Sequence, residues 1–294
     1  MESVCLPIHA HTRLVAVLGY PVGHSLSPQM QNAAIAAAGL PCQYMAFSVP
    51  PGGLADALHG LAALGAVGAN ITIPHKVAAV KLMDRVSCDA AGLGAVNTVC
   101  FTGDAIVGHN TDVAGFAAAA QSDGFELCGA PAVVYGAGGA ARAVAFSMLD
   151  YAMDVTVVNR TWERADEMVA QVLDGAGMTH GVTAARAGSQ EEREAVHQAA
   201  IIVNATSAGM TPHEDTMPPV PLDCLREGTV VMDLVYRPRE TRLLAAARAA
   251  GCDTIDGVSM LVHQGAASFR LWFGLEPDTG LMQEAVEAAL AGES

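Results

Sequence analysis

Only two of the fifteen cationic side chains are lysines, Lys76 and Lys81, and the other thirteen are arginines. Where a plain positive charge suffices this chain uses Arg, which marks its lysines: a partly desolvated ammonium can share or lose a proton, and a guanidinium effectively cannot. Lys76 follows Asn70-Ile71-Thr72-Ile73-Pro74-His75, at the end of a predicted strand, where side chains of α/β folds converge on a ligand crevice. It reads as an acid–base group or, equally, as a solvated surface lysine. Asp112, in Gly108-His109-Asn110-Thr111-Asp112, opens a predicted helix, so its default reading is a structural N-cap. The alternative is a carboxylate facing Lys76, the pair bonding one substrate hydroxyl and relaying the proton that accompanies hydride transfer. Ser25-Leu26-Ser27, Asn97-Thr98 and Gln264 are polar clusters in apolar surroundings, suited to a polyhydroxylated ligand. Each is weak alone, and Ser27-Pro28 also reads as a helix start.

A cofactor signal stands in the middle of the chain. Ala132-Val133-Val134-Tyr135 runs into Gly136-Ala137-Gly138-Gly139-Ala140-Ala141 and then into a helical stretch, so the G-x-G-x-x-A spacing has the strand–turn–helix context that it needs. Gly136 permits the tight turn, Gly138 lets the backbone approach a pyrophosphate, and Ala141 allows helix to pack on strand. A dinucleotide-binding loop is favoured over a plain Gly-rich turn. The next strand ends in Asn159-Arg160-Thr161 with Arg164 following, and no carboxylate stands where an NAD site places one. Arg can stack on adenine and grip a 2′-phosphate, so NADP is favoured over NAD.

These residues need elements to hold them. Short β-type runs alternate with Ala-rich helical stretches from end to end, the pattern of an α/β architecture built on parallel sheets. Predicted strands are 14–18, 68–73, 132–135, 155–158, 201–204 and 230–234, and predicted helices include 28–38, 52–64, 113–120, 139–149 and 162–173. The final helices have no strand after them, so the chain is expected to return to its first domain near Gly257. The expected fold is therefore two-domain, with a discontinuous α/β substrate domain (1–112 and 257–294), a Rossmann-type doubly wound NADP domain (113–256), and a ligand cleft between them.

Composition narrows the partners. With 294 residues, 52% hydrophobic and 15% charged, there is ample apolar surface for large cores. A net charge of −15 leaves no cationic stripe for a duplex, so nucleic acid is not an expected partner. No run approaches the ~20 apolar residues of a membrane span. Met1-Glu2-Ser3 lacks the basic start of a secretion signal. Seven cysteines, spread out and never in C-x-x-C spacing, read as reduced and mostly buried in a cytoplasmic protein. No metal-ligand spacing stands out, His9-x-His11 being the nearest approach.

In order along the chain, these segments resemble the shikimate dehydrogenase family. The resemblance runs through Gly19-Tyr20-Pro21-Val22-Gly23-His24-Ser25-Leu26-Ser27-Pro28, Asn70 to Lys76, Gly94-Ala95-Val96-Asn97-Thr98 and Asn110-Thr111-Asp112. It continues through the Gly136 loop, Asn159-Arg160-Thr161, Asn204 to Met210, Asp233-Leu234-Val235-Tyr236 and Gly257 to Ala266. The resemblance implies reversible NADP-dependent reduction of 3-dehydroshikimate to shikimate, on the pathway to aromatic amino acids, with Lys76 and Asp112 as catalytic pair. It assigns Ser25, Ser27, Thr72, Asn97, Tyr236 and Gln264, together with that pair, to the substrate. It assigns Gly136, Ala137, Gly138, Gly139 and Ala140 to the pyrophosphate, and Asn159, Arg160, Thr161 and Arg164 to the 2′-phosphate end. Thr206, Ser207, Met210, Leu234 and Gly257 fall to the nicotinamide side. The expected partners are the small-molecule substrate and a second copy in a homodimer, with no membrane and no metal. One departure stands after Ser27-Pro28, where the family's usual His-Asn is Gln31-Asn32, expected to change packing more than chemistry. The competing readings are a quinate or dual quinate/shikimate dehydrogenase and, from another class, a non-catalytic NADP-binding sensor.

Overall fold

The computed structural model describes residues 8–292, so Cys5 and Met1-Glu2-Ser3 lie outside the described residues. The chain divides into two compact units, residues 8–111 with 262–292, and Asp112–Leu261.

The first unit is built from β1 (Arg13–Gly19), α1 (Ser27–Ala37), β2 (Cys42–Ser48), α2 (Leu54–Ala63), β3 (Gly68–Ile71), α3 (Lys76–Ala79), β4 (Arg85–Val86), α4 (Cys88–Leu93), β5 (Thr98–Thr102) and β6 (Ala105–His109). They form a sheet in the order β2-β1-β3-β5-β6-β4. β1 is parallel to both neighbours and β5 runs antiparallel to β3 and β6, so this sheet of the α/β fold is mixed. The reason is local. Thr102 pairs with Ala105 across the two residues Gly103-Asp104, with Gly103 at φ +65°, and such a turn can join only antiparallel strands. β3 ends at Ile71 instead of Ile73, because the chain turns at once, His75 N–H donating to Thr72 O at 2.8 Å. Leu18, Leu58, Ile71 and Val99 are among the side chains of this unit's core.

The second unit contains α5 (Asp112–Ser122), β7 (Ala132–Tyr135), α6 (Gly139–Asp150), β8 (Val155–Asn159), α7 (Trp162–Ala176), β9 (Val182–Arg186), α8 (Gln190–Gln198), β10 (Ile201–Asn204), β11 (Val230–Asp233), α9 (Arg242–Ala249), β12 (Asp253–Ile255) and the start of α10 (Gly257–Phe273). Its six strands are all parallel, in the order β12-β11-β10-β7-β8-β9. The order reverses between β7 and β10, the switch point at which doubly wound folds bind ligands. Alternation along β7 feeds two cores. Ala132 and Val134 face Phe116, Val144 and Met148, while Val133 and Tyr135 face Val196, Ile202 and Leu244.

The chain re-enters the first unit inside α10, between Leu261 and Val262, and finishes in α11 (Thr279–Ala291), which packs on α1. Trp272 of α10 donates its Nε1–H to Val99 O at 3.0 Å, and a Cβ at Gly68 would lie 2.2 Å from that nitrogen, so Gly68 lets the helix lie down on the sheet. The six described cysteines are unpaired, four of them buried. No helix among the described residues is long and apolar enough to cross a membrane.

Candidate active site

In the first unit, β1 and β3 end, β5 begins and β6 ends at the same edge of the sheet. Ser25 and Ser27 follow β1, Thr72 and Lys76 follow β3, Asn97 precedes β5, and Asn110 to Asp112 follow β6. Gln264 lies on α10 within the same unit, whereas Asp112 and Tyr236 belong to the second unit. Main-chain bonds set these positions. Thr72 N–H donates to Leu18 O at 3.0 Å, Val96 N–H to Lys76 O at 2.9 Å, and Asn97 N–H to His109 O at 3.0 Å. Buried His75 donates from Nε2 to Val49 O at 2.7 Å, which fixes the turn entering α3 and hence the start of Lys76. The Ser25 hydroxyl accepts Ser27 N–H at 3.3 Å, tying the serine pair to the start of α1.

Beneath this edge lies a buried network of uncharged groups. Asn70 Nδ2 donates to Asn97 O at 3.2 Å, Thr98 Oγ1 at 3.1 Å and Ser268 Oγ at 3.0 Å, and its Oδ1 accepts the Tyr44 hydroxyl at 2.7 Å. Asn97 Oδ1 accepts Thr111 N–H at 2.7 Å, and its Nδ2 donates to Thr111 Oγ1 at 3.0 Å. The residue before Asp112 is thereby pinned by a predicted substrate residue. Gln31 is fully buried and donates to Gly265 O at 2.9 Å, bracing α1 on α10 beside Gln264.

In the second unit, a cavity of about 620 Å³ gathers much of the predicted cofactor set. Gly136, Ala137 and Gly138 line it together with Asn159, Arg160, Arg164, Thr206 and Ser207. Gly136 has φ +117°, and a Cβ there would meet Ala205 O at 3.1 Å, so only glycine fits that turn. A Cβ at Gly138 would meet no protein atom within 4 Å, so its bare backbone leaves the cavity itself open. None of the lining residues carries a carboxylate, and two carry guanidinium groups, a donor set suited to an anionic ligand. Gly139, Ala140, Thr161, Met210, Leu234 and Gly257 are not among the lining residues. Gly139 and Ala140 open α6, and Thr161 uses its carbonyl to accept Asn159 Nδ2 at 2.9 Å. Leu234 and Gly257 pack on each other, since a Cβ at Gly257 would lie 2.6 Å from Leu234 O. Met210 O accepts His213 N–H at 2.7 Å.

Sequence reasoning missed the opposite wall, made by His213, Thr216, Met217, Pro218 and Pro219, and also Ala187 after β9. This segment has no motif of its own. Its one signal is its place, directly after a loop already assigned to the cofactor. Two buried carboxylates hold the cavity's rims. Glu192 accepts the Tyr135 hydroxyl at 2.8 Å and Gly188 N–H at 2.5 Å. Asp233 accepts Asn204 Nδ2 at 2.8 Å, Val235 N–H at 3.0 Å and the Thr241 hydroxyl at 2.7 Å. Burial pushes the Asp233 carboxyl up to about 6 against the lowering effect of those bonds. Burial, and then the Glu192 charge, raise the Tyr135 phenol far above its usual range.

Residues 17–99 match the family described as shikimate dehydrogenase substrate binding domain, and residues 257–287 the one described as shikimate 5′-dehydrogenase C-terminal domain. A protein of Moorella thermoacetica named shikimate dehydrogenase (NADP(+)) is 47% identical over 291 residues, 98% of this chain and 97% of its own. Among solved structures, a shikimate dehydrogenase in complex with NADP+ is similar with a TM-score of 0.92 at 38% identity, covering 98% of this chain and 99% of that one. The Thermus thermophilus shikimate 5-dehydrogenase in complex with NADP(H) and shikimate has a TM-score of 0.84 at 39% identity, covering 95% and 100%.

Proposed function

The chain belongs to the shikimate dehydrogenase family, and we infer that it is an NADP-dependent oxidoreductase that reversibly reduces 3-dehydroshikimate to shikimate. The observation that carries the cofactor half is the single cavity in which the Gly136–Gly138 loop meets Arg160 and Arg164. Main-chain N–H groups at the start of α6 suit a pyrophosphate, and the two guanidinium groups suit a 2′-phosphate. NADPH, when bound, supplies a hydride to the substrate's C3 carbonyl carbon. The quinate reading is not favoured by the named relatives.

The roles of single residues form part of the proposal. Lys76, as an ammonium, bonds the C3 oxygen, stabilises the negative charge that grows on it and donates the proton that completes the alcohol. Asp112 accepts a bond from the same hydroxyl and takes part in returning the proton in the reverse direction. Ser25, Ser27, Thr72, Asn97, Tyr236 and Gln264 hold the carboxylate and the remaining hydroxyls. The geometry around Lys76 supports its part, because Val96 N–H ties down its carbonyl and the neighbouring His75 side chain is held on Val49 O. The same reading places the chain in the cytoplasm as a homodimer, which sedimentation of the purified protein would test. Four steady-state rates, shikimate or quinate with NADP+ or NAD+, test specificity, with shikimate and NADP+ expected to dominate. Lys76→Ala should lower kcat by about 10³-fold with little change in substrate KM. Preserved kcat with lost substrate binding would remove Lys76 from the chemistry, and no turnover in the parent protein would favour the sensor reading.

A further inference from the structure

The Asp233 carboxylate lies outside the cavity, yet it controls the turn that lines it. Asp233 is fully buried at the end of β11, and three neutral donors converge on it. No charged side chain contributes to its environment, which consists of the Val235 main chain, the Thr241 hydroxyl and the Asn204 amide. Asn204 passes this anchoring on. Its Oδ1 accepts both Thr206 N–H at 3.0 Å and the Thr206 hydroxyl at 2.7 Å, so its Nδ2 must turn towards Asp233. The same Nδ2 lies 3.3 Å from Ala208 O, and Thr206 Oγ1 accepts Ala208 N–H at 3.1 Å, which closes the turn. Thr206, Ser207 and Ala208 all line the cavity.

We propose that Asp233 is a positioning residue for the cofactor: acting through Asn204, its carboxylate holds the Thr206–Ala208 turn in the shape that binds the dinucleotide, and protonating it loosens that hold. The proposal rests on the cavity being the NADP site. A carboxylate suits the task because it accepts from three donors without presenting a hydrogen of its own. Without it, Asn204 loses the shorter of its two donated bonds and keeps only the 3.3 Å one to Ala208 O, and an amide that flipped would present N–H to N–H at Thr206. Protonation at Oδ2, where the Thr241 hydroxyl can reverse to receive the hydrogen, removes the charge from Oδ1 and so weakens the bonds that Asn204 and Val235 donate to it. The carboxyl titrates at about 6, within the range in which the enzyme can be assayed.

The test uses the full chain with Asp233→Ala and Asp233→Asn. Asp233→Ala should raise the KM for NADPH about tenfold, leave the KM for 3-dehydroshikimate within about twofold and change kcat little at saturating NADPH. Asp233→Asn, which resembles the protonated acid in shape, should recover part of that loss. Fluorescence titration with NADH, which lacks the titrating 2′-phosphate, should show affinity falling below about pH 6 in the parent chain and a flat profile in Asp233→Asn. An unchanged NADPH KM in a folded Asp233→Ala, or equal losses in every kinetic constant, would overturn the proposal. Should Asp233→Ala fail to fold, the NADH profiles decide alone, and an identical acid limb in the parent and Asp233→Asn overturns it. The titration needs no substrate, so loss of the dehydrogenase reading would show separately, as NADPH binding without turnover.

Discussion

The two units solve the same problem, holding polar loops at the end of a sheet, with opposite chemistry. Beneath the first unit's edge the buried groups are Tyr44, Asn70, Asn97, Thr98, Thr111 and Ser268, all uncharged. In the second unit the corresponding positions at the ends of strands are braced by Asp233 and Glu192, each at most 1% exposed. The uncharged network needs no buried charge to be desolvated, and it fixes its loops through side-chain amides and hydroxyls that both donate and accept. Around the dinucleotide loops the need is to fix main-chain turns, and a carboxylate that accepts a backbone N–H fixes one directly, as at Gly188 and Val235.

The contrast can be broken from either side. The largest effect is expected from Asn70→Asp, which puts a charge into the neutral network and removes the amide group that donates towards Asn97 O, Thr98 Oγ1 and Ser268 Oγ. Urea unfolding should show a loss of about 3 kcal/mol, and a change below about 0.5 kcal/mol would mean that the network tolerates charge. Next comes the pH dependence of stability. The Asp233 carboxyl is raised from 3.8 to about 6, so the native state binds more protons than the unfolded one between those values. Stability from this group is therefore present below about pH 4 and lost as pH rises towards about 6, by roughly 2–3 kcal/mol. Comparing the parent chain with Asp233→Asn isolates that slope, and parallel curves would refute it. The smallest effect should come from Glu192→Gln, whose oxygen can keep Gly188 N–H only as a neutral acceptor while its N–H forces the Tyr135 hydroxyl to reverse from donor to acceptor. About 1–2 kcal/mol and faster hydrogen exchange at Gly188 are expected, and unaltered exchange would show that the turn does not depend on the charge.

Much of the second unit was legible in the sequence because parallel strands are buried on both faces and read as unbroken apolar runs. Ala132–Tyr135 and Ile201–Asn204 begin and end where their residues indicate. The turn at Gly136 was legible for a related reason, since that glycine answers to a steric limit that the motif's spacing records. The first sheet was harder. Its antiparallel hairpin depends on Gly103-Asp104, a turn too short to stand out among thirty glycines. Asn70 and Ser268 look like isolated polar residues until the fold brings them within 3.0 Å. The wall from His213 to Pro219 is irregular chain whose place is set by tertiary contacts, and periodicity carries no trace of it. Asp233 was visible only as part of a family segment, because two of its three partners, Thr241 and Asn204, come from elsewhere in the chain.

The passage of the chain through α10 fixes an order of events on the ribosome. The dinucleotide unit is interrupted by nothing, so all six of its strands can pair while synthesis continues. The other unit must wait with its sheet half covered, because Asn70 meets Ser268 only 198 residues later and α11 reaches α1 later still. Once Leu261 has emerged, the nascent chain can hold one finished body while the other still has an open apolar face.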